Sequence, residues 1–208
     1  MNNPWKDIQL SDYENHMALD SVQQLQAMNQ MMKKQLSQYH IQSVMILGIA
    51  GGNGLEHVDT EKITKVYGVD INAEYLETTK ERYKNLSDIL ECLCVDLNCE
   101  TEKLPQANLL IANLLIEYIG YERFQKAAKM TNSQYVSCII QINTDDSFVS
   151  DSPYLHVFDG LERVHHHMVE KKMQNSMETI GYQLTQTLEY PLPNGKKLVQ
   201  LDFCKKVL

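Results

Sequence analysis

The sequence lacks several features that mark particular classes of protein. Its five cysteines are an odd number that cannot all pair in disulfides, and no C-x-x-C pair of the zinc-ribbon type is present. No apolar run approaches the roughly 18 residues of a membrane span. The first ten residues, MNNPWKDIQL, lack the basic and then apolar layout of a signal peptide. We therefore predict a cytoplasmic protein without a metal site or a membrane contact, whose cysteines are small buried side chains.

Basic residues are also scarce. Asp and Glu outnumber Lys and Arg by 27 to 19, which gives a net charge of -8. This sign opposes nucleic-acid binding, because proteins that bind DNA or RNA neutralise phosphates with basic side chains. The length of 208 residues fits one domain, and the hydrophobic fraction of 43% is ordinary for a globular chain. We predict one compact unit with no nucleic-acid partner, and nothing in the sequence specifies an oligomeric state.

Short apolar runs alternate with helical patterns from residue 43 onward. Strands are predicted at 44–47, 66–70, 93–96, 107–112 and 135–142. Helices are predicted at 73–83, 117–129 and 161–180, the first capped by Asn72. Two further β-rich runs, 182–190 and 197–205, flank a turn that contains Asn194-Gly195, a strong hairpin signal. The pattern predicts an α/β fold with a Rossmann-like, doubly wound, mostly parallel sheet that ends in an antiparallel hairpin.

The first 42 residues have a different character. Ser11 and Glu14 match a capping box, which predicts a helix start at Ser11. Over 11–40 we predict one or two amphipathic helices, from an apolar stripe of Val22, Leu25, Met28, Met32 and Leu36. Residues 1–42 are therefore predicted to form an N-terminal helical cap on a unit spanning 43–208. Trp5, Tyr13 and His16 precede the stripe. These aromatic and titratable residues favour a lid that closes above a binding site.

A glycine cluster follows the first strand. Its four glycines are Gly48, Gly51, Gly52 and Gly54. Such residues let the backbone adopt positive φ and approach a ligand closely. The dinucleotide fingerprint G-x-G-x-x-G is absent, because the third position is His57 counted from Gly52 and the second is Ala50 counted from Gly48. No Lys-Ser/Thr pair follows, so a P-loop is excluded as well.

This cluster resembles the first motif of class I S-adenosylmethionine-dependent methyltransferases, E/D-x-G-x-G-x-G after a strand. The resemblance extends from Ser43 to the C-terminus. It implies that Asp70, 16 residues after Gly54, accepts hydrogen bonds from the ribose hydroxyls of the cofactor. It further implies that Asp96 lies beside the adenine amine. Cofactor-binding roles are implied for Gly48, Gly51, Gly52, Asn53, Gly54, Asp70, Ile71, Asp96, Leu97 and Asn113.

The resemblance also locates the chemistry. Asn113, Glu117 and Tyr118 follow the fourth strand, where the family lines its methyl-transfer site, and they are the candidate catalytic residues. The sequence at this position is N-L-L-I. It differs from the N-P-P-Y motif of methyltransferases that act on adenine or on glutamine side chains. Together with the acidic charge, this favours a small-molecule acceptor, methylated by in-line displacement at the sulfonium.

One position departs from the family pattern. When Gly52, Asn53 and Gly54 are aligned on the last G-x-G, Gly48 stands where the family has its first acid. The ammonium of the cofactor's methionine part then needs another partner, with Glu56, Glu117 and backbone carbonyls as the alternatives. The departure leaves open a cofactor-binding module without transferase activity. An NAD(P)-dependent oxidoreductase is a further alternative.

Three consecutive histidines, His165, His166 and His167, fall within the helix predicted at 161–180. Successive side chains on a helix diverge by about 100°, so the three do not converge on one metal ion. One of them remains a candidate base that faces the acceptor, because histidine titrates near neutral pH.

Overall fold

The computed structural model describes residues 3–143 and 148–206. Within these ranges the helices are α1 (Leu10–Ala18), α2 (Gln24–Ser37), α3 (Ala73–Arg82), α4 (Ile116–Thr131) and α5 (Glu170–Glu178). The strands are β1 (Ser43–Leu47), β2 (Lys65–Asp70), β3 (Leu90–Cys94), β4 (Leu109–Asn113), β5 (Tyr135–Ile142), β6 (Tyr182–Pro191) and β7 (Lys197–Lys205). No described helix has the length and apolar character to span a membrane.

The strands form one sheet in the order β3-β2-β1-β4-β5-β7-β6. β1 to β5 are parallel, whereas β7 runs antiparallel between β5 and β6. This confirms the predicted Rossmann-like sheet with a C-terminal antiparallel hairpin. The chain leaves β1 toward β2 on one side and later enters β4 on the other, so the strand order reverses between β1 and β4. In parallel sheets, ligands bind at such a reversal, beyond the carboxyl ends of the strands.

The core has a layer on each face of the sheet. β1 alternates between the two layers: Met45 and Leu47 pack toward α4 and α5, and Val44 and Ile46 pack toward α2 and α3. This alternation follows from the two-residue period of a strand. A strand that is buried on both faces reads as a continuous apolar run, as the sequence of β1 does.

Helix α2 covers a part of the sheet that the crossover from β1 to β2 leaves open. Among the described residues of that crossover, the helical structure is a single 3₁₀ turn, Leu55–His57. Met32 and Leu36 of α2 pack in the same layer as β1 and this turn. α2 therefore contributes to the core, and a lid formed by the residues before it stays a prediction.

The two helix caps predicted in the N-terminal half have different outcomes. The capping box at Ser11 is wrong, because α1 begins at Leu10 and its N-cap residue is Gln9. Glu14, expected to reach back toward the helix start, instead forms an ion pair with Arg82 of α3. The predicted cap of α3 is confirmed, since Asn72 accepts hydrogen bonds from the backbone of α3.

The helix predicted over 161–180 is confirmed for Glu170–Glu178 and wrong for the residues before it. The chain forms a 3₁₀ segment, Leu155–Arg163, and then α5 from Glu170, so the three histidines lie between the two elements. Helix α4, which this segment contacts, is kinked at Gly120, where φ is 74°. The backbone carbonyl of Glu117 accepts a hydrogen bond at 2.6 Å from the backbone N–H of His166. This contact connects the histidine segment to α4 outside any helix.

The cysteine prediction holds for some positions and fails for others. Cys138 in β5 is buried, but Cys94 and Cys99 are exposed. Both exposed thiols lie at or beyond the end of β3, which is an edge strand with solvent on one side.

Truncating Leu36 tests whether α2 belongs to the core. Its side chain is 5% exposed and packs against the sheet. Leu36→Ala should lower the free energy of unfolding by about 2–5 kcal/mol, because it deletes buried methyl groups and leaves a cavity. Urea denaturation measures this change. Lys33→Ala on the exposed face of α2 is the matched control and should change it by less than about 0.5 kcal/mol. Equal effects of the two variants would contradict a core role for α2.

Candidate functional site

Asp70 joins the glycine loop to the next helix. It ends β2, is buried, and accepts a hydrogen bond from each side: the N–H of Ala50 at 3.0 Å and the N–H of Asn72 at 3.0 Å. Burial raises the pKa of its carboxyl group, while the hydrogen bonds from backbone N–H groups act in the opposite direction. The carboxylate therefore fixes the loop after β1 relative to the start of α3.

Hydrogen bonds hold the N-terminal segment against this junction. The side chain of Asn72 donates to the carbonyl oxygen of Trp5 at 3.0 Å, and the hydroxyl group of Tyr75 donates to that of Ile8 at 2.8 Å. Both donors belong to the start of α3, and both acceptors precede α1. Residues ahead of α1 thus lie across the carboxyl ends of the strands, where the lid was predicted.

A cavity of about 660 Å³, open to solvent, lies beneath this segment. We call it the strand-end cavity, because its floor is formed by residues that end β1, β2, β3 and β4. Of the predicted site residues, it brings together Gly48, Asp70, Ile71, Asp96, Leu97, Asn113 and Tyr118.

The glycine loop takes the backbone conformations that its sequence suggested. φ is positive at Gly48 (69°), Gly52 (82°) and Gly54 (95°), and also at Ala50 (47°). Gly48 lines the strand-end cavity, but Gly52 and Gly54 do not. A Cβ atom on Gly52 would lie 2.7 Å from the ring of Tyr83. Gly52 and Gly54 therefore permit the turn and its packing against neighbouring helices, whereas Gly48 borders the open space.

Asp96 and Leu97 form a turn after β3 at the far end of the strand-end cavity. The carboxylate of Asp96 accepts from the backbone N–H of Asn98 at 2.9 Å and is half-buried. Leu97 is 6% exposed and packs in the core layer beneath it. The turn presents a carboxylate at the cavity edge above an apolar floor.

A second cavity of about 570 Å³ adjoins the first. The two share Trp5, Tyr13, Leu114 and Tyr118 as common walls. We call the second one the histidine cavity; its further lining residues include His16, Glu117, Gln141, Phe148, Phe158 and His165. Two buried polar atoms on its lining residues lack a hydrogen-bond partner among the described residues, Nε1 of Trp5 and Oε2 of Glu117. A buried donor or acceptor without a hydrogen-bond partner is costly.

Glu117 is the buried carboxyl group of the histidine cavity. It lies in the first turn of α4 and is 4% exposed. Its Oε1 accepts a hydrogen bond from the backbone N–H of Gln141 at 2.8 Å. Burial raises the pKa of Glu117 from 4.5 to about 7, and the hydrogen bond from Gln141 limits the rise. Near neutral pH this carboxyl group can therefore both release and accept a proton.

The imidazoles of the same cavity are held neutral. Burial lowers the pKa of His165 to about 4, with the charges of its neighbours His166 and His167 as further causes. Burial likewise lowers the pKa of His16. The ring of His165 stacks on Phe148 with 4.0 Å between centroids, and Nδ1 of His16 lies 2.8 Å from the hydroxyl oxygen of Ser152. Each imidazole is thus positioned by a specific neighbour.

A third cavity, of about 530 Å³, runs along the glycine loop. It shares Tyr13, Gly48, Ala50 and Asn113 with the strand-end cavity. We call it the glycine-loop cavity; it also touches Glu14, Gly51 and Asn53. The three cavities meet at Tyr13, which lines all of them.

Asn113 is fixed from below by α2. Its side-chain amide exchanges two hydrogen bonds with that of Gln35, at 3.0 and 2.9 Å. Gln35 is fully buried and also donates to Ser137, whose hydroxyl group donates to Asp202. The amide of Asn113 is therefore oriented by a buried polar network rather than left free to rotate.

Sequence reasoning missed several residues of these cavities. No local sequence pattern marks Gln141, Phe148 and Phe158 as site residues. They line the histidine cavity because the fold places residues that are distant in sequence next to one another. Glu14 does belong to a recognisable sequence pattern, but that pattern, the capping box, predicts a helix start and not a site residue. Glu56, one alternative for the missing first acid, accepts hydrogen bonds from the backbone of Gly54 and from Asn29 and lines none of the three cavities.

No protein-family model matches the chain, and no curated protein matches it by sequence. Solved structures do match it. The methyltransferase domain of bacterial CtHen1-C aligns with a TM-score of 0.66 and 18% identity, over 88% of this chain and 98% of that one. Magnesium protoporphyrin IX methyltransferase (ChlM) from Synechocystis PCC 6803, solved with bound SAM, aligns at 0.60 and 10%, over 88% and 79%. The [4+2]-cyclase SpnF aligns at 0.67 and 8%, over 90% and 84%. At these identities the likeness defines the fold, which is that of class I S-adenosylmethionine-dependent methyltransferases.

Replacing Glu117 by glutamine tests the raised pKa. A carboxyl group whose pKa rises from 4.5 to about 7 on folding stabilises the protein fully below pH 4.5 and loses that contribution as the pH rises through 7. Glu117→Gln does not ionise, so its stability relative to the parent protein should increase by about 2–4 kcal/mol between pH 4.5 and 8. Denaturant unfolding at several pH values measures the difference. Glu122→Gln, an exposed change on α4, should show none of this pH dependence.

Proposed function

We propose that the protein transfers a methyl group from S-adenosylmethionine to a small-molecule acceptor. The observation that carries the proposal is the meeting of two cavities beyond the parallel strands. One is bordered by the glycine loop and Asp70. The other is lined by Glu117, whose Oε2 has no hydrogen-bond partner among the described residues. In this proposal the cofactor occupies the strand-end cavity and the acceptor occupies the histidine cavity, with the methyl group between them.

The residues of the strand-end cavity fit the adenosine part of the cofactor. The carboxylate of Asp70 accepts backbone N–H groups of Ala50, Asn72 and Ile71, and its two oxygens together still have lone pairs for ribose hydroxyls. Asp96 stands at the cavity edge where it can accept from an exocyclic amine, with the N–H of Leu97 next to it. Gly48 also lines this cavity, so the cofactor would contact the loop backbone there.

The residues of the histidine cavity have the properties that the acceptor half of the reaction needs. When bound, S-adenosylmethionine supplies an electrophilic methyl group, and its sulfur keeps the electron pair of the broken bond. Glu117 would take the proton of an acceptor hydroxyl or amine at Oε2, since a pKa of about 7 suits a general base at neutral pH. The rings of Trp5 and Tyr118, with centroids 4.9 Å apart, would exclude water from the junction.

Two observations support a small molecule as the acceptor. The histidine cavity is lined mainly by aromatic and apolar side chains around a few polar groups, which is typical of small-molecule sites. The net charge of -8 opposes a nucleic-acid substrate. A second candidate is a protein of this fold that binds the cofactor without transferring its methyl group, since the solved structures of this fold include a [4+2]-cyclase.

Ligand binding and turnover distinguish these functions. S-adenosylmethionine and S-adenosylhomocysteine should raise the melting temperature, whereas NAD and NADP should leave it unchanged. For transfer, the protein is incubated with S-adenosylmethionine and a cell extract divided by ultrafiltration. S-adenosylhomocysteine should accumulate with the small-molecule fraction and not with the macromolecular one. Binding without accumulation in either fraction would favour the non-catalytic candidate.

Replacing Asp70 tests its role in binding the ribose. Asp70→Ala should weaken the binding of S-adenosylhomocysteine by about 1.5–3 kcal/mol, because charge-assisted hydrogen bonds to both hydroxyls are lost. Isothermal titration calorimetry measures the affinity, and circular dichroism checks that the sheet is retained. Glu74→Ala, an exposed acidic residue at the start of α3, is the matched control. Unchanged affinity of the Asp70 variant would remove Asp70 from the site.

A further inference from the structure

The glycine-loop cavity carries a negative group in an unexpected place. Among the described residues that line it, Glu14 is the one carboxylate. Glu14 belongs to α1, although the cavity follows the loop after β1. Since this cavity shares Gly48 and Asn113 with the strand-end cavity, a ligand longer than a nucleoside would extend from one into the other.

Gly51 provides the space for this carboxylate. A Cβ atom on Gly51 would collide with Oε1 of Glu14 and with the guanidinium of Arg82. Arg82 forms the ion pair with Glu14 and also donates to the carbonyl oxygen of Gly51 at 3.2 Å. Gly51 does not need positive φ, unlike its neighbour Gly52. A glycine at this position is therefore explained by the close approach of α1 and α3 to the loop.

The other acidic groups near the loop are committed elsewhere. Glu56 accepts hydrogen bonds from the backbone of Gly54 at 3.1 Å and from the hydroxyl group of Tyr83 at 3.0 Å. Glu117 lies in the histidine cavity. Gly48, which stands at the family's acidic position, has no side chain. Of these groups, Glu14 is the one that reaches the glycine-loop cavity.

We propose that Glu14 binds the ammonium group of the amino-acid arm of S-adenosylmethionine, in place of the acid that is missing after β1. This inference rests on the proposed function. The carboxylate of Glu14 receives Arg82 on both oxygens, at 2.8 Å on Oε2, yet each oxygen can accept a further donor. Binding of the ammonium therefore does not require the ion pair to break.

The charges around Tyr13 are consistent with a cationic ligand. The pKa of the Tyr13 hydroxyl is raised by burial and then by the negative charges of Asp70, Glu14 and Glu117. Three acidic groups thus surround the residue at which the three cavities meet. S-adenosylmethionine has two positive groups, a sulfonium and an ammonium, against one carboxylate, so its charge complements this junction.

A thermodynamic cycle tests the contact. Calorimetry gives Kd values for S-adenosylhomocysteine and for its deamino analogue, in which hydrogen replaces the ammonium, with the parent protein and with Glu14→Gln. The parent should bind S-adenosylhomocysteine about 10- to 100-fold more tightly than the analogue, as expected for a charge-assisted hydrogen bond. Glu14→Gln should abolish most of this preference and change the affinity for the analogue by less than about twofold.

Two control variants separate binding from structure. Asp12→Asn removes a negative charge from the same helix without touching the cavity and should keep the preference for the ammonium. Arg82→Gln removes the ion pair but retains the carboxylate, and it should keep most of the preference. Equal weakening of both ligands by Glu14→Gln, or no weakening of either, would overturn the role of Glu14 while leaving the proposed function intact. Failure of the parent protein to bind S-adenosylhomocysteine would overturn both.

Discussion

The carboxylate of Asp70 is the interaction on which the arrangement of the site depends. It accepts the backbone N–H groups of Ala50 and Asn72 from two different connections of the sheet. Asn72 in turn caps α3 and donates to the carbonyl oxygen of Trp5. One buried charge thus relates the glycine loop, the start of α3 and the N-terminal segment. Because a buried carboxylate without its donors is destabilised, these hydrogen bonds favour this arrangement of the junction.

The N-terminal residues contribute to the fold and to the site through different elements. α2 packs under the sheet where the crossover from β1 to β2 has only a 3₁₀ turn. Through Gln35 it also orients the amide of Asn113 at the cavity floor. α1 lies above, with Tyr13 at the meeting point of the cavities. A change in the packing of α2 would therefore be transmitted to Asn113, whereas a change in α1 would alter access to the junction.

The strands and the glycine loop could be predicted from sequence because their signals are local. β1 is a continuous apolar run, and the hairpin has Asn194-Gly195 at its turn. The site was predictable as far as the strand ends, where Asp70 and Asp96 have fixed spacing from the loop. Glu14 was assigned to a helix cap, since nothing local indicates an ion pair with Arg82 across 68 residues. The spacing of apolar residues around the three histidines predicts a helix. That spacing carries no information about the hydrogen bond that the backbone N–H of His166 donates to Glu117 of α4.

The proton on Glu117 links the two halves of the proposed reaction. Its pKa of about 7 is set mainly by burial, opposed by hydrogen bonds from backbone N–H groups, and among the described residues no positive charge adds to the lowering. A sulfonium bound at the junction would supply such a charge, and an opposite charge nearby lowers the pKa of a carboxyl group. Glu117 would then ionise when the methyl donor binds and become a competent base at that moment. Methyl transfer removes the positive charge from sulfur, so the pKa of Glu117 would rise again and the proton taken from the acceptor would be retained. The pKa of Glu117 would thus fall when the positively charged cofactor binds and rise again after the methyl group is transferred.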